Sequence, residues 1–187
     1  MKSSILFACA TVALILACAA PQKDGKAEAT DKTAPDAMVL VSAAFKEGEP
    51  IPMKCSAYGE NVSPDLAWEH APEGVRSFAL VCRDPDAPGG TFHHWVLFNI
   101  SDSVKRLPEG FGRVPELPLG GTQGTNSFGR SGYDGPRPPS GTHRYFFDLY
   151  ALDEVLALDQ TTTASQLLKA IKGHVLAQAS LMGKYAK

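Results

Sequence analysis

The apolar segments of this chain are short, and proline or glycine lies close to most of their ends. The sequence holds 14 prolines and 17 glycines among 187 residues, which disfavours long helices. Three apolar runs have the length of strands that are buried on both faces, namely Ser77–Cys82, His94–Ile100 and Thr142–Leu152. The pattern therefore predicts a mainly β domain with few helices.

Weaker patterns lie before and after these runs. Met38–Phe45 predicts a strand followed by a turn, and Ile51–Ser56 predicts an edge strand because it contains a proline. Thr163 and Gln166 have capping-box spacing before an apolar stretch, which predicts one short amphipathic helix. Apolar residues at alternate positions from 177 to 185 predict a last strand.

Residues 1–17 predict an export signal. Lys2 supplies a positive charge, and the uncharged apolar run after it is too short to cross a bilayer as a mature helix. Ile15-Leu16-Ala17-Cys18 resembles the signal of a bacterial lipoprotein, in which Cys18 is lipidated. Ordinary cleavage after Ala17-Cys18-Ala19, an A-x-A pattern, would instead release a soluble periplasmic or secreted protein. We favour the first reading and expect a lipid-anchored protein of the bacterial cell envelope.

Residues 18–37 predict a flexible tether before a folded domain at 38–187. The tether has almost no large apolar side chain to bury. Within the domain, Cys55 and Cys82 would meet an oxidising compartment after export, where a disulfide can form. Two buried apolar thiols are the alternative, and the sequence leaves both open.

Two segments concentrate the polar side chains that could form a site. Asp84 and Asp86 lie between prolines at the end of one apolar run, and His93 and His94 follow them. Neighbouring residues of a strand point to opposite faces, so only one of these histidines can join a given pocket. The second segment carries His143 and Tyr145, which are two positions apart and share a face. We predict that the two segments meet in a small anion-binding pocket.

The chemistry of the predicted pocket follows from its residue types. Carboxylates near a histidine favour its charged form, and an imidazolium with neighbouring donors can hold phosphate, sulfate or carboxylate. The aspartates would then orient the imidazoles without touching the anion. Because adjacent histidines face opposite ways, a two-histidine metal site is disfavoured, and we expect neither a metal nor a cofactor.

The motifs also resemble a known family. Asp84-Pro85-Asp86-Ala87-Pro88, then His94-Trp95, then the segment Gly132–Leu152 are similar to phosphatidylethanolamine-binding proteins, also called Raf kinase inhibitor-like proteins, and within them to the bacterial branch. The resemblance covers roughly residues 40–185. It implies a β-sandwich with a few short helices, a homodimer, cis peptides near the site with Ala87-Pro88 as first candidate, and a surface pocket for phosphate-like and acetate-like anions. The pocket residues that it implies are Asp84, Asp86, His94, Pro139, His143 and Tyr145.

Two features depart from the family pattern. Arg137 stands where related bacterial chains often carry a cysteine, which adds a positive charge at the predicted pocket. An export signal is not a general feature of the family either, so that cytoplasmic roles of relatives need not transfer.

Three functions remain in competition. The first is a non-catalytic binding module for a small anion, such as phosphate or a phospholipid head group, which can also inhibit a partner protein. The second is an interaction module for a kinase or peptidase without a small ligand. The third is a hydrolase, but the sequence has no Gly-x-Ser-x-Gly, His-Glu-x-x-His or P-loop motif. We predict the first and no enzyme; a formal charge of −2 excludes bulk attraction of nucleic acid.

Overall fold

The structure is a computed structural model, and it describes residues 37–113, 117 and 120–187. The predicted export signal, Cys18 and almost all of the predicted tether lie outside the described residues. The strands, in chain order, are β1 (Val39–Val41), β2 (Leu66–Glu69), β3 (Ser77–Asp84), β4 (Phe92–Ser101), β5 (Arg106–Leu107), β6 (Thr122–Gln123), β7 (Thr142–Leu152) and β8 (Val175–Ala186). The helices are α1 (Ala164–Ala170) and two 3₁₀ turns at Met53–Cys55 and Phe111–Arg113.

The strands form two antiparallel sheets. The smaller sheet has the order β1-β2-β5, and the larger has the order β6-β4-β3-β7-β8. The prediction of a mainly β fold with few helices is thus confirmed. Among the residues that the structure describes, none of the helices qualifies as a membrane span.

The centre of the larger sheet is buried on both faces, as its sequence predicts. In β3, Phe78, Leu80 and Cys82 belong to the main core, while Ala79 and Val81 belong to a second apolar cluster on the other face. The main core also receives side chains of the smaller sheet and is the interior of the sandwich. A strand that must be apolar on both faces cannot alternate with polar residues, which explains the continuous apolar run.

Helix α1 covers part of the second face. It begins with the predicted capping box, in which Thr163 and Gln166 bond reciprocally across the first turn. Leu167 and Ile171 are buried in the same cluster as Val96 of β4. The predicted helix is confirmed, since its caps and its apolar side agree with the sequence pattern.

The segment Ile51–Ser56 is not a strand, and that prediction is wrong. Its backbone turns into the 3₁₀ helix Met53–Cys55, because the N–H groups of Cys55 and Ser56 bond to the carbonyls of Pro52 and Met53. Local pairing satisfies the donors that an edge strand would have left open. The strand predicted at Met38–Phe45 is shorter than expected and ends at Val41.

Both cysteines of the described domain are free and buried. Cys55 is the last residue of the 3₁₀ turn Met53–Cys55, and Cys82 lies within β3. Desolvation raises the pKa of the Cys55 thiol to about 11. The structure therefore shows the second of the two alternatives, two apolar thiols. It also contains no cis peptide bond among the described residues, so the expectation for Ala87-Pro88 is wrong.

Candidate functional site

A cavity of about 180 Å³ opens at the end of β3 and the start of β4, beside the start of β7. Its walls bring together the two segments that the sequence singles out. Asp84, His94, Pro139 and His143, four of the six predicted pocket residues, line this cavity. The remaining lining residues are Ala87, Pro88, Phe92, Phe128 and Arg137.

His143 is held by Asp84. Its Nδ1 lies 2.7 Å from Oδ2 of Asp84, and both residues are almost fully buried, with exposures of 7% and 3%. The other carboxylate oxygen accepts the backbone N–H of Asp86 at 2.8 Å. Because a carboxylate accepts, His143 Nδ1 carries the proton, and Nε2 is the nitrogen left for a ligand. Asp84 thus orients the ring.

His94 is fixed in the same tautomer by a different partner. Its Nδ1 lies 2.7 Å from the carbonyl oxygen of Asp134, which can only accept, so Nδ1 again carries the hydrogen. Desolvation lowers the pKa of His94 from its ordinary value of 6.5, and it outweighs the opposing hydrogen bond and the charge of Asp84. The nearby carboxylates act in the expected direction, because the charges of Asp84 and Asp134 raise the pKa of His94, but burial outweighs them and the net shift is downward.

A β-bulge carries His94 into the cavity. Cys82 pairs with Trp95, whereas the next residue of β3, Arg83, pairs with His93, so that His94 is an extra residue in β4. His93 faces the other side of the sheet with Arg83 and does not line the cavity. The prediction that only one of the two adjacent histidines can join the pocket agrees with this geometry.

The other two predicted residues do not line the cavity. The carboxylate of Asp86 accepts hydrogen bonds from Nε and Nη2 of Arg144, at 2.9 and 2.7 Å, and from the backbone N–H of Arg144. These hydrogen bonds lower the pKa of Asp86 to about 2. Tyr145 is fully buried and meets the ring of His94 edge to face, with centroids 5.2 Å apart. Asp86 thus ties the loop after β3 to β7, and Tyr145 supports the ring of His94.

The Tyr145 hydroxyl is buried near Asp84 and the backbone of Arg137, but it makes no hydrogen bond of good geometry with a described residue. Desolvation, and after it the negative charge of Asp84, raises the pKa of Tyr145. The phenol is consequently a neutral group in the wall behind the two histidines. An unpaired buried hydroxyl is costly and is often retained at functional sites.

Two lining residues, Phe92 and Phe128, were not predicted from the sequence. The rings of Phe92 and Phe128 meet edge to face at 4.7 Å, and each also contacts the ring of His94. Phe92 pairs with Asp84 across the β3–β4 hairpin, so the hairpin register would have placed it on the same face. Phe128 belongs to a loop without periodicity, and no pattern in the sequence points to it.

Asn126 holds that loop in place. Its Oδ1 accepts the backbone N–H groups of Phe128 and Arg130 at 3.0 and 3.1 Å. Its Nδ2 donates to the carbonyl of Gly132 and to Oδ2 of Asp134, at 3.0 and 2.9 Å. One buried amide thereby fixes both the ring of Phe128 and the segment whose carbonyl receives His94.

The comparisons with known proteins agree with the fold. Residues 41–186 match the family model described as phosphatidylethanolamine-binding protein. A UPF0098 protein of Methanothermobacter thermautotrophicus is 46% identical over 150 residues, which is 80% of this chain and 99% of that protein.

Two solved structures are similar to the whole described domain. A phosphatidylethanolamine-binding protein homolog from Chlamydia trachomatis has 42% identity and a TM-score of 0.74, covering 81% of this chain and 98% of its own. E. coli YbcL, described as a new member of the mammalian family, has 33% identity and a TM-score of 0.76, covering 80% and 98%. The chain therefore belongs to the phosphatidylethanolamine-binding protein family and is a ligand-binding module of that type.

Proposed function

We propose that this chain is a non-catalytic binding module for a small oxyanion, which it holds in the cavity between His94 and His143. One observation carries the proposal. Each of the two imidazoles is committed at Nδ1 to an acceptor of the protein, so each leaves Nε2 as the ring nitrogen available in the cavity. Two ring nitrogens with fixed orientation form a preorganised clamp for oxygen atoms.

The protonation of His94 decides what the clamp accepts. In its neutral form Nε2 is an acceptor, so it binds a ligand that brings a proton, such as hydrogen phosphate. An anion without a proton requires His94 to take one up, and the anion's charge then stabilises the imidazolium. Arg137 adds a permanent positive charge to the same wall.

The size of the cavity limits the ligand. Pockets for drug-sized molecules have volumes of roughly 300–1,000 Å³, whereas this cavity measures about 180 Å³. A phosphate, a carboxylate or the anionic part of a lipid head group fits such a volume, and acyl chains do not. The described lining also offers no hydroxyl or thiol nucleophile, which favours binding over covalent catalysis.

The predicted lipid anchor at Cys18 and the predicted homodimer belong to the same proposal. An anchored module would meet phosphate-bearing head groups at the membrane surface as well as free anions. Inhibition of a partner protein would follow if the cavity received an acidic or phosphorylated side chain of that partner.

A titration tests the binding of oxyanions. We expect inorganic phosphate and acetate to shift the imidazole NMR signals of His94 and His143. His143→Ala should weaken binding at least tenfold, since it removes one of the two ring nitrogens, whereas His174→Ala should not. His174 is partly exposed, bonds to Asp153 and lies outside the cavity, so it is a matched control. If neither the His94 nor the His143 signal shifts at ligand concentrations up to about 10 mM, any dissociation constant is too high for specific binding, and the proposal is refuted.

A further inference from the structure

The carboxylates around the cavity are already engaged. Both oxygens of Asp84 accept hydrogen bonds, one from His143 and one from the backbone N–H of Asp86. Asp86 is outside the lining and is bound by Arg144 through both oxygens. Asp84 is therefore the one carboxylate of the described lining, and a ligand's ammonium group could pair with it only in competition with His143 and with the backbone N–H of Asp86.

The aromatic walls do not replace such a carboxylate. The guanidinium of Arg130 lies over the ring of Phe128, 5.2 Å from its centroid, so that a cation of the protein already uses one ring face. Phe92 contacts Phe128 and His94 at centroid distances of 4.7 and 5.1 Å. Aromatic side chains recognise an ammonium group when their ring faces surround the cation. Here Phe92 and Phe128 pack against each other and against His94 and so do not surround a ligand cation.

Arg137 is the permanent positive charge of the lining. Its side chain is exposed, and it forms no ion pair with a described residue. The backbone on both sides of Arg137 is fixed. The carbonyl of Pro136 accepts the N–H of Ala57 at 3.0 Å, and that of Pro138 accepts the Tyr58 hydroxyl at 3.1 Å. The guanidinium consequently starts from a rigid base at the cavity wall.

We infer that Arg137 makes the cavity selective for oxyanions that carry no ammonium group, so that an alkyl phosphate monoester binds in preference to a zwitterionic phosphoethanolamine. This inference rests on the proposed binding of oxyanions. The phosphate of either ligand is attracted by Arg137. The ammonium of the zwitterion, two carbons from the phosphate ester oxygen, is repelled by the same guanidinium, and the carboxylate of Asp84 that could offset the repulsion is already bonded to His143.

Ethyl phosphate and phosphoethanolamine test the inference, because they differ by the ammonium group alone. For the wild-type chain we expect ethyl phosphate to bind about tenfold more tightly by calorimetry, a factor equivalent to about 1.4 kcal/mol. Arg137→Gln should bring the ratio of the two dissociation constants close to one, and Arg137→Lys should preserve most of the preference. Arg76→Gln removes the same charge from an exposed position, roughly 25 Å away along β3, and should leave the ratio unchanged.

The outcomes separate the two proposals. If neither ligand binds the wild-type chain, the proposed function and this inference are both overturned. If both bind with equal affinity, or if Arg137→Gln keeps the preference, oxyanion binding stands and the role of Arg137 is overturned. An equal effect of Arg76→Gln would mean that net charge, and not the position of Arg137, sets the preference, which also overturns the inference.

Discussion

The strongest prediction is that anion binding takes up a proton at His94. Nδ1 of His94 is fixed as a donor to the Asp134 carbonyl, so the only place where the ring can gain a proton is Nε2. Burial lowers the pKa of this imidazole in the free protein below its ordinary 6.5. A bound anion raises that pKa by direct attraction. Between the two pKa values, the complex holds one more proton than the free protein.

Sulfate is the appropriate ligand, because it carries no proton of its own in the working range. Linkage of one proton requires that the sulfate affinity rise by up to tenfold for each pH unit of acidification. The rise occurs as the pH falls through the pKa of the complex, and it levels off below the pKa of the free protein. Calorimetry from about pH 8 to about pH 5, repeated in buffers with different ionisation enthalpies, measures both the affinity and the number of protons.

Two adjacent variants make the test specific. His94→Gln keeps a neutral polar side chain and should remove most of the proton uptake. His93→Gln is the control, since His93 also has a pKa lowered by burial but faces the opposite side of the sheet. A sulfate affinity independent of pH in the wild type would refute the reasoning. So would a full pH dependence retained in His94→Gln, which would assign the proton to another group such as His143.

Four further variants, of which Gly89→Ala is a control, probe the residues that support the site, each measured by urea unfolding. Gly135→Ala should cost about 3 kcal/mol, because a Cβ there would lie 2.1 Å from the carbonyl oxygen of Cys55. Gly89→Ala, with nothing within 4 Å, should change stability by less than about 0.5 kcal/mol; equal effects would contradict the steric reading. Asn126→Ala should cost about 3 kcal/mol and also weaken phosphate binding, because it releases four hydrogen bonds of the loop; unchanged affinity would refute its positioning role. Thr163→Ala should cost about 1 kcal/mol without altering affinity, through loss of the cap of α1, and a change in affinity would contradict this separation.

The fold was largely predictable because its strongest signals are local. The apolar runs of β3 and β7 reflect burial on both faces, and the cap of α1 is written in Thr163 and Gln166. The 3₁₀ turn at Met53–Cys55 was not predictable from strand propensity. Its stability depends on residues distant in sequence, such as Tyr185, whose hydroxyl accepts a hydrogen bond from Ser56 Oγ.

The candidate site was predictable in its parts and not in its arrangement. Asp84 and His143 stand out as residue types, and their family motif brings them together. Asp86 and Tyr145 do not line the cavity as predicted, because Asp86 bonds to Arg144 and Tyr145 is fully buried. The sequence does not specify these side-chain positions. The direction of the His94 pKa shift also escapes prediction, since it depends on how far burial outweighs the nearby carboxylates.

The bulge in β4 has a consequence for how this fold can change. His94 is the extra residue of β4 in the bulge, since its neighbours Trp95 and His93 pair with consecutive residues of β3. Deletion of His94 would therefore leave a regular pairing of the two strands at that point. Such a chain would keep the sandwich and lose one imidazole of the cavity. The fold and the binding site are thus separable here. A relative that no longer binds a ligand could lack the residue at this position and keep the same fold.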